Sequence, residues 1–180
     1  MTECFRIYDS NGKPQSTLKP RNQVHADGDW HRAVETWILN SKNELLIQKR
    51  ASGKDSFPDK WDASCAGHID GDEESINTAI RELKEELGLE INASELQYLF
   101  ETRETNVTNN GRFIDNEIKD IYLLEQDIDI NDLNLQAEEV STVRFIHFQD
   151  LEKMIQENSG DFVPHKNTYA GLFAFIRQHA

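Results

Sequence analysis

Gly67 to Leu89 reads GHIDGDEESINTAIRELKEELGL, and this stretch decides how the chain is understood. It opens on a glycine loop, passes through Glu73, and ends in Arg81-Glu82-Leu83-Lys84-Glu85-Glu86 ahead of Gly88. Ile76, Ala79, Ile80, Leu83 and Leu87 recur at helical spacing, so a helix is expected to pack that stripe on a sheet, with Ser75 as N-cap and Gly88 as its left-handed stop. Positions three and four apart are neighbours on a helix surface, which gathers Glu82, Glu85 and Glu86 on one flank. Like charges so placed repel, and an acidic flank facing only solvent gains nothing from the arrangement. A hard divalent cation reverses the sign: Mg²⁺ and Mn²⁺ take oxygen ligands and complete their shells with water and substrate phosphates. The cluster reads as a metal site prepared for a phosphate-bearing small molecule.

Working outward, Phe5 to Asp9 and Gln15 to Leu18 flank Asn11-Gly12, a hairpin turn signal. Ala33 to Leu39 and Glu44 to Arg50 form a second apolar pair around Asn40 to Asn43. Ala51 to Lys60 is polar, contains Pro58 and is expected to be a loop, after which Trp61 to Ala66 forms a short strand leading into Gly67. Strands are expected at Leu96 to Glu104 and Phe113 to Leu124, joined around Asn109-Asn110-Gly111, and at Val140 to His147. Phe148 to Glu157 and Asn167 to Ala180 are expected to be helices. Strands interleaved with helices indicate an α/β fold with helices packed on a mixed sheet. A chain of 180 residues accommodates one well-buried domain, 1–180, with an N-terminal hairpin at about 1–20 and a helical C-terminal segment at about 148–180.

The formal net charge is −14, which repels nucleic-acid backbones and anionic membranes. A small anionic substrate stays admissible, because local cations and bound metal override the global field. No run approaches the length of a membrane span, and Met1 to Ser10 lacks the pattern of a signal peptide. Cys4 and Cys65 are the only cysteines and are expected to be free thiols in a reducing compartment, which points to the cytoplasm.

The stretch from Gly67 to Leu89 resembles the Nudix box: Gly67, Glu73, Arg81, Glu82, Leu83, Glu85, Glu86, Gly88 and Leu89 fill its fixed positions. The resemblance implies a Nudix α/β/α sandwich and hydrolysis of a diphosphate linkage. It implies a cation, Mg²⁺ or Mn²⁺, held by Glu82, Glu85 and Glu86 with the carbonyl of Gly67, while Glu73 and Arg81 brace the loop and helix. A second resemblance, to isopentenyl-diphosphate isomerase and its hydrolase relatives, runs from His25 to about Leu124. It is carried by His25 to His31, Leu46 to Arg50, Lys54, Trp61, Gly67-His68 and Ile114-Asp115-Asn116-Glu117-Ile118. It implies metal ligation by His25, His31, His68, Asp115 and Glu117, and diphosphate contacts from Arg50 and Lys54. Asp115 and Glu117 stand two apart on an expected strand, so both point to one side. Imidazole ligands favour Zn²⁺ or Mn²⁺ over Mg²⁺.

The isomerase pattern places a cysteine directly before the Gly-His pair, where this chain has Ala66 and carries Cys65 one residue earlier. A one-residue shift along a strand turns a side chain to the opposite face. Hydrolysis of a nucleoside diphosphate derivative or related small diphosphate is the expected activity, with Glu82 or Glu117 as the base that takes a proton from the attacking water and Glu86 essential for rate. Isomerisation of isopentenyl diphosphate, or a non-catalytic nucleotide-binding module, are the other readings. Specificity is expected from the loops at Ala51 to Lys60 and Asp161 to Asn167. Trp30, Trp37, Phe57, Trp61 and Phe162 are candidates to stack a base or enclose a prenyl tail, with Trp37 suited to the core. Oligomeric state stays open, the Met1–Leu18 hairpin being a candidate contact between copies.

Overall fold

The computed structural model describes residues 3–157 and 160–179; Met1 and Ala180, which bound two of the expected elements, lie outside them. The strands are β1 (Cys4–Tyr8), β2 (Pro14–Pro20), β3 (Trp30–Leu39), β4 (Glu44–Arg50), β5 (Trp61–Asp62), β6 (Cys65–His68), β7 (Leu96–Thr108), β8 (Phe113–Glu125) and β9 (Val140–His147). The helices are α1 (Arg21–Asp27), α2 (Ser75–Leu87), α3 (Phe148–Gln156) and α4 (Lys166–His179). All strands join one mixed sheet centred on β3, which runs parallel to β8 and antiparallel to β4 and β6.

The two-residue period of the strands explains the layers. On β3, β4 and β8, Trp37, Leu45, Ile47, Ile121 and Leu123 turn to one face and pack against Phe148 and Leu151 of α3 and Tyr169, Leu172, Phe173 and Ile176 of α4. Their neighbours Val34, Ile38, Leu46, Tyr122 and Leu124 turn to the other face, against Ala79, Leu83 and Leu87 of α2. Helices on both faces of a mixed sheet make the expected α/β/α sandwich. No helix among the described residues is long and apolar enough to cross a membrane.

Two local expectations need correction. Trp61 to Ala66 is two strands, because Asp62 accepts a hydrogen bond from the next backbone N–H, of Ala63, at 2.8 Å. Ser64 then fills the gap between β3 and β4, accepting from Ile38 N at 2.8 Å and donating to the Leu46 carbonyl at 2.5 Å. Ser75 is not the N-cap of α2: Glu74 holds that position, and the Ser75 hydroxyl meets the Tyr122 hydroxyl at 2.6 Å. The segment around His25, for which no element was expected, forms α1, closed by Gly28 at φ 70°. Gly88 does end α2 in the left-handed region, at φ 72°.

Candidate active site

The conformation of β6 sets the site. Pairing places Val34 opposite Gly67, Glu35 opposite Ala66 and Thr36 opposite Cys65, so successive β6 residues alternate between the faces. Cys65 therefore points into the α2 layer, where it is buried and its thiol bonds to Glu86, and burial pushes that thiol well above its ordinary pKa. Ala66 lines a cleft of about 370 Å³ together with Gly67, His68, Glu82, Glu85 and Glu86. A Cβ on Gly67 would stand 2.2 Å from the Glu82 carboxyl, so glycine is what admits Glu82 to this position.

Arg81 gathers the acids of the box. Its guanidinium donates to Glu82 Oε1 at 2.7 Å, to Glu85 Oε2 at 3.1 Å and to Glu73 Oε2 at 3.2 Å, and Glu73 also accepts from Thr78 Oγ1 at 2.8 Å. Gln48 donates to Glu86 Oε2 at 3.1 Å. Burial raises Glu82 to about 7 despite Arg81, and burial together with the charge of Glu82 raises Glu86 to about 8. Carboxylates forced towards neutrality beside one another make a site that gains from a cation, and their all-oxygen donor set fits Mg²⁺ or Mn²⁺. At neutral pH the pair holds protons that a bound cation must expel. Calorimetric titration with Mg²⁺ at pH 7, in buffers of different ionisation enthalpy, is expected to release about one proton per cation bound. Affinity is expected to rise with pH through the titration range of the pair. Zero proton release would show that both acids are ionised before binding.

His25 on α1, His31 on β3, His68 on β6 and Asp115 on β8 form a second donor set, with one ligand atom of each within 4.8 Å of the others. His25 Nδ1–H donates to the Arg21 carbonyl at 2.8 Å and His31 Nδ1–H to that of Asp29 at 3.1 Å. The Nε2 atoms of both rings then face Asp115 Oδ1, at 3.3 Å and 3.4 Å. His25 Nε2, His31 Nε2, His68 Nε2 and Asp115 Oδ1 are all buried without a hydrogen-bond partner. Acceptors turned towards an acceptor in a buried space need a proton or a cation between them. The imidazole-rich set fits Mn²⁺ or Zn²⁺. Glu117 stands beside it, 3.4 Å from His68 Nε2. Phe5 of the hairpin covers the cluster, its ring 4.8 Å from that of His68 and 5.3 Å from that of His31.

Arg50 and Lys54 also line the cleft, and Lys49 does not. Arg50 is already engaged, donating to Asp62 Oδ2 at 2.8 Å and to the Ser56 carbonyl at 3.1 Å, while Lys54 pairs with Glu139. Of the aromatic candidates, only Phe57 is among the cleft residues; Trp37, Trp61 and Phe162 pack in or against the α3–α4 core, and Trp30 lies on β3 outside the lining. Both expected specificity loops contribute, through Lys54 to Phe57 and through Val163 and His165.

Sequence reasoning missed Gln136, Glu138 and Glu139, which line the cleft from the segment before β9, and an internal ionic group beneath it. In that group Lys119 Nζ lies 2.9 Å from Glu35, 2.7 Å from Glu104 and 2.8 Å from His165 Nδ1. His165 Nε2 lies 2.6 Å from Asp62. Burial disfavours charge on His165, yet Glu35 and Asp62 outweigh it and raise the ring to about 10. The signal was present on β8: Asp115, Glu117 and Lys119 are charged residues at alternate positions, all on the face that becomes internal.

The NUDIX domain model matches residues 29–166. The chain is 38% identical over 181 residues to Nudix hydrolase 3 of Arabidopsis thaliana, covering 98% of this chain but only 23% of that protein. It is 30% identical over 148 residues to the isopentenyl-diphosphate Delta-isomerase of Cereibacter sphaeroides, covering 82% of this chain and 80% of the isomerase. In fold it is similar to DR0079 from Deinococcus radiodurans, with a TM-score of 0.68 and 19% identity over 89% of this chain and 92% of that one. A family match across most of the chain, a Nudix sandwich, and the box acids gathered around Gly67 lead to one conclusion: the chain belongs to the Nudix family.

Proposed function

We propose that this chain, as one domain over 1–180, hydrolyses a diphosphate linkage in a nucleoside diphosphate derivative or related small molecule, with Mg²⁺ or Mn²⁺. The observation that carries this reading is that Glu82, Glu85 and Glu86 of the box and His68, Asp115 and Glu117 of the histidine–carboxylate set open into one cleft that Arg50 and Lys54 also line. Glu82, Glu85, Glu86 and the Gly67 carbonyl would hold one cation, and His25, His31, His68, Asp115 and Glu117 a second. A divalent cation so held supplies polarisation of a phosphoryl oxygen and a lowered pKa for water. Lys54 neutralises phosphate oxygens by exchanging its bond to Glu139 for one to substrate, and Arg50 adds positive charge from beside Asp62. Glu82 is the better base, because burial raises its carboxyl to about 7 while Lys119 and His68 hold that of Glu117 below its ordinary range. Arg81 and Glu73 keep the acids in position without touching substrate.

The isomerase reading lacks its cysteine: Ala66 faces the cleft, and Cys65 faces α2. Phosphorus NMR with Mg²⁺ and then Mn²⁺, over pooled nucleoside and prenyl diphosphates, tests the proposal. New phosphate signals are expected at the expense of a nucleoside-type diphosphate. Unchanged spectra, or conversion of isopentenyl diphosphate without phosphate release, would overturn it.

A further inference from the structure

We infer that Gln48 is a positioning residue for the cation of the box: its buried side-chain amide sets the orientation of the Glu86 carboxylate and thereby the cation affinity of the site. The inference rests on the reading that Glu86 is a cation ligand. Gln48 stands on β4 two residues beyond Leu46, so its side chain turns with that of Leu46 towards α2, and it pairs across the sheet with Val143. It is 2% exposed, and its Nε2 donates to Glu86 Oε2 at 3.1 Å.

The other end of the amide singles this residue out. Gln48 Oε1 is buried with no hydrogen-bond partner. An acceptor left unpaired in the interior costs stability, and an apolar side chain would avoid that cost on a face that Leu46, Val143 and Phe145 otherwise make apolar. A ligating carboxylate only accepts, so the amide must turn its NH₂ end to Glu86 and leave its carbonyl end where the strands supply no donor. The orphaned oxygen is therefore accounted for by what Nε2 does at Glu86.

The backbone beneath Glu86 is fixed independently. Its carbonyl accepts from Gln136 N at 3.0 Å and the Leu87 carbonyl from Asn134 N at 3.0 Å, which pins the end of α2 to the segment before β9. The Cys65 thiol meets the Glu86 carboxyl from β6. What is left to set is the rotation of the carboxylate, and the Gln48 amide sets it. Glu82 and Glu85 are oriented instead by Arg81, whose charge cancels part of theirs. A neutral amide orients Glu86 and leaves its full charge for a cation. Groups that hydrogen-bond to a metal ligand in this way change metal affinity without touching the metal.

Gln48→Met tests this, because it keeps an unbranched side chain and removes the donor and the orphaned acceptor together. Mg²⁺ is the probe, since the histidine-rich set favours softer cations. Calorimetry on the whole chain is expected to show the variant binding Mg²⁺ about 10-fold more weakly than wild type, or weaker still. Its urea midpoint with cation chelated is expected to be unchanged or raised, as a pair of polar contacts gives way to apolar packing. Combined with Glu86→Gln, the substitution is expected to leave Mg²⁺ affinity within about twofold of Glu86→Gln alone, because the amide acts only through Glu86. Where Gln48→Met does not fold, Gln48→Leu takes its place in the same comparison. Wild-type Mg²⁺ affinity in the folded variant, or an equal loss in the wild-type and Glu86→Gln backgrounds, overturns the positioning role. Absence of Mg²⁺ binding by wild type removes the cation reading of Glu86 and the inference with it, so the wild-type titration tells the two failures apart.

Discussion

Glu86→Gln is expected to lower the rate of diphosphate cleavage about 10³-fold or more while the chain stays folded. Glutamine keeps the volume of Glu86, and this residue is 4% exposed between Cys65, Gln48 and the cleft. It removes a charged oxygen ligand from the place where the carboxylates of α2 are packed together, so cation affinity and rate fall together. The pH dependence of stability supplies an independent check. Burial and the charge of Glu82 raise Glu86 from 4.5 to about 8, so its protonated form belongs to the cation-free folded chain. The contribution is fully present below about 4.5 and is lost as the pH rises through about 8. With cation chelated, the wild-type Tm is expected to fall between about pH 6 and 9, and the glutamine variant to fall less because its amide never ionises. Normal turnover by the variant, measured as phosphate release, would remove Glu86 from the mechanism.

Lys119→Met is expected to cost about 3–5 kcal/mol of folding stability, read from urea denaturation. Burial opposes a charge on Lys119, but Glu35, Glu117 and Glu104 outweigh it and hold the ammonium charged well beyond its ordinary range. Removing it leaves these acids facing one another in a buried space, and the penalty of an uncompensated charge exceeds what the pair contributed. A second replacement, Glu35→Leu, is expected to restore part of the loss by removing one unpaired acid, although Trp37 Nε1 then loses its acceptor at 2.9 Å. A loss below about 1 kcal/mol for the single variant would show that the ionic group does not act as a unit.

Much of the fold was legible because its signals are local. The apolar runs within Val34 to Ile38, Leu45 to Ile47 and Ile121 to Leu124 announce strands buried on both faces, and the five-residue apolar stripe of α2 announces a helix. Helix α1 was not legible: seven residues give too few turns for periodicity to register, and its N-cap, Pro20, makes no side-chain bond. The division of Trp61 to Ala66 depends on Ser64 meeting backbone atoms of β3 and β4, 26 and 18 residues away. The partners of Lys119 were equally hidden, because it meets Glu35 and His165 across 84 and 46 residues and neither carries a local pattern.

The order of residues by itself determined which acids share a flank of α2 and that Cys65 and Ala66 face opposite ways. Each of these follows from the period of a helix or a strand, which the chain carries locally. Only the tertiary structure decided that His25, His31, His68 and Asp115 meet, that Arg50 is engaged by Asp62, and that the cleft rests on buried charge where tryptophans were candidates. Those outcomes depend on the register between β3, β6 and β8 and on which side chains the desolvated interior must pair, and neither is written in any short window of sequence.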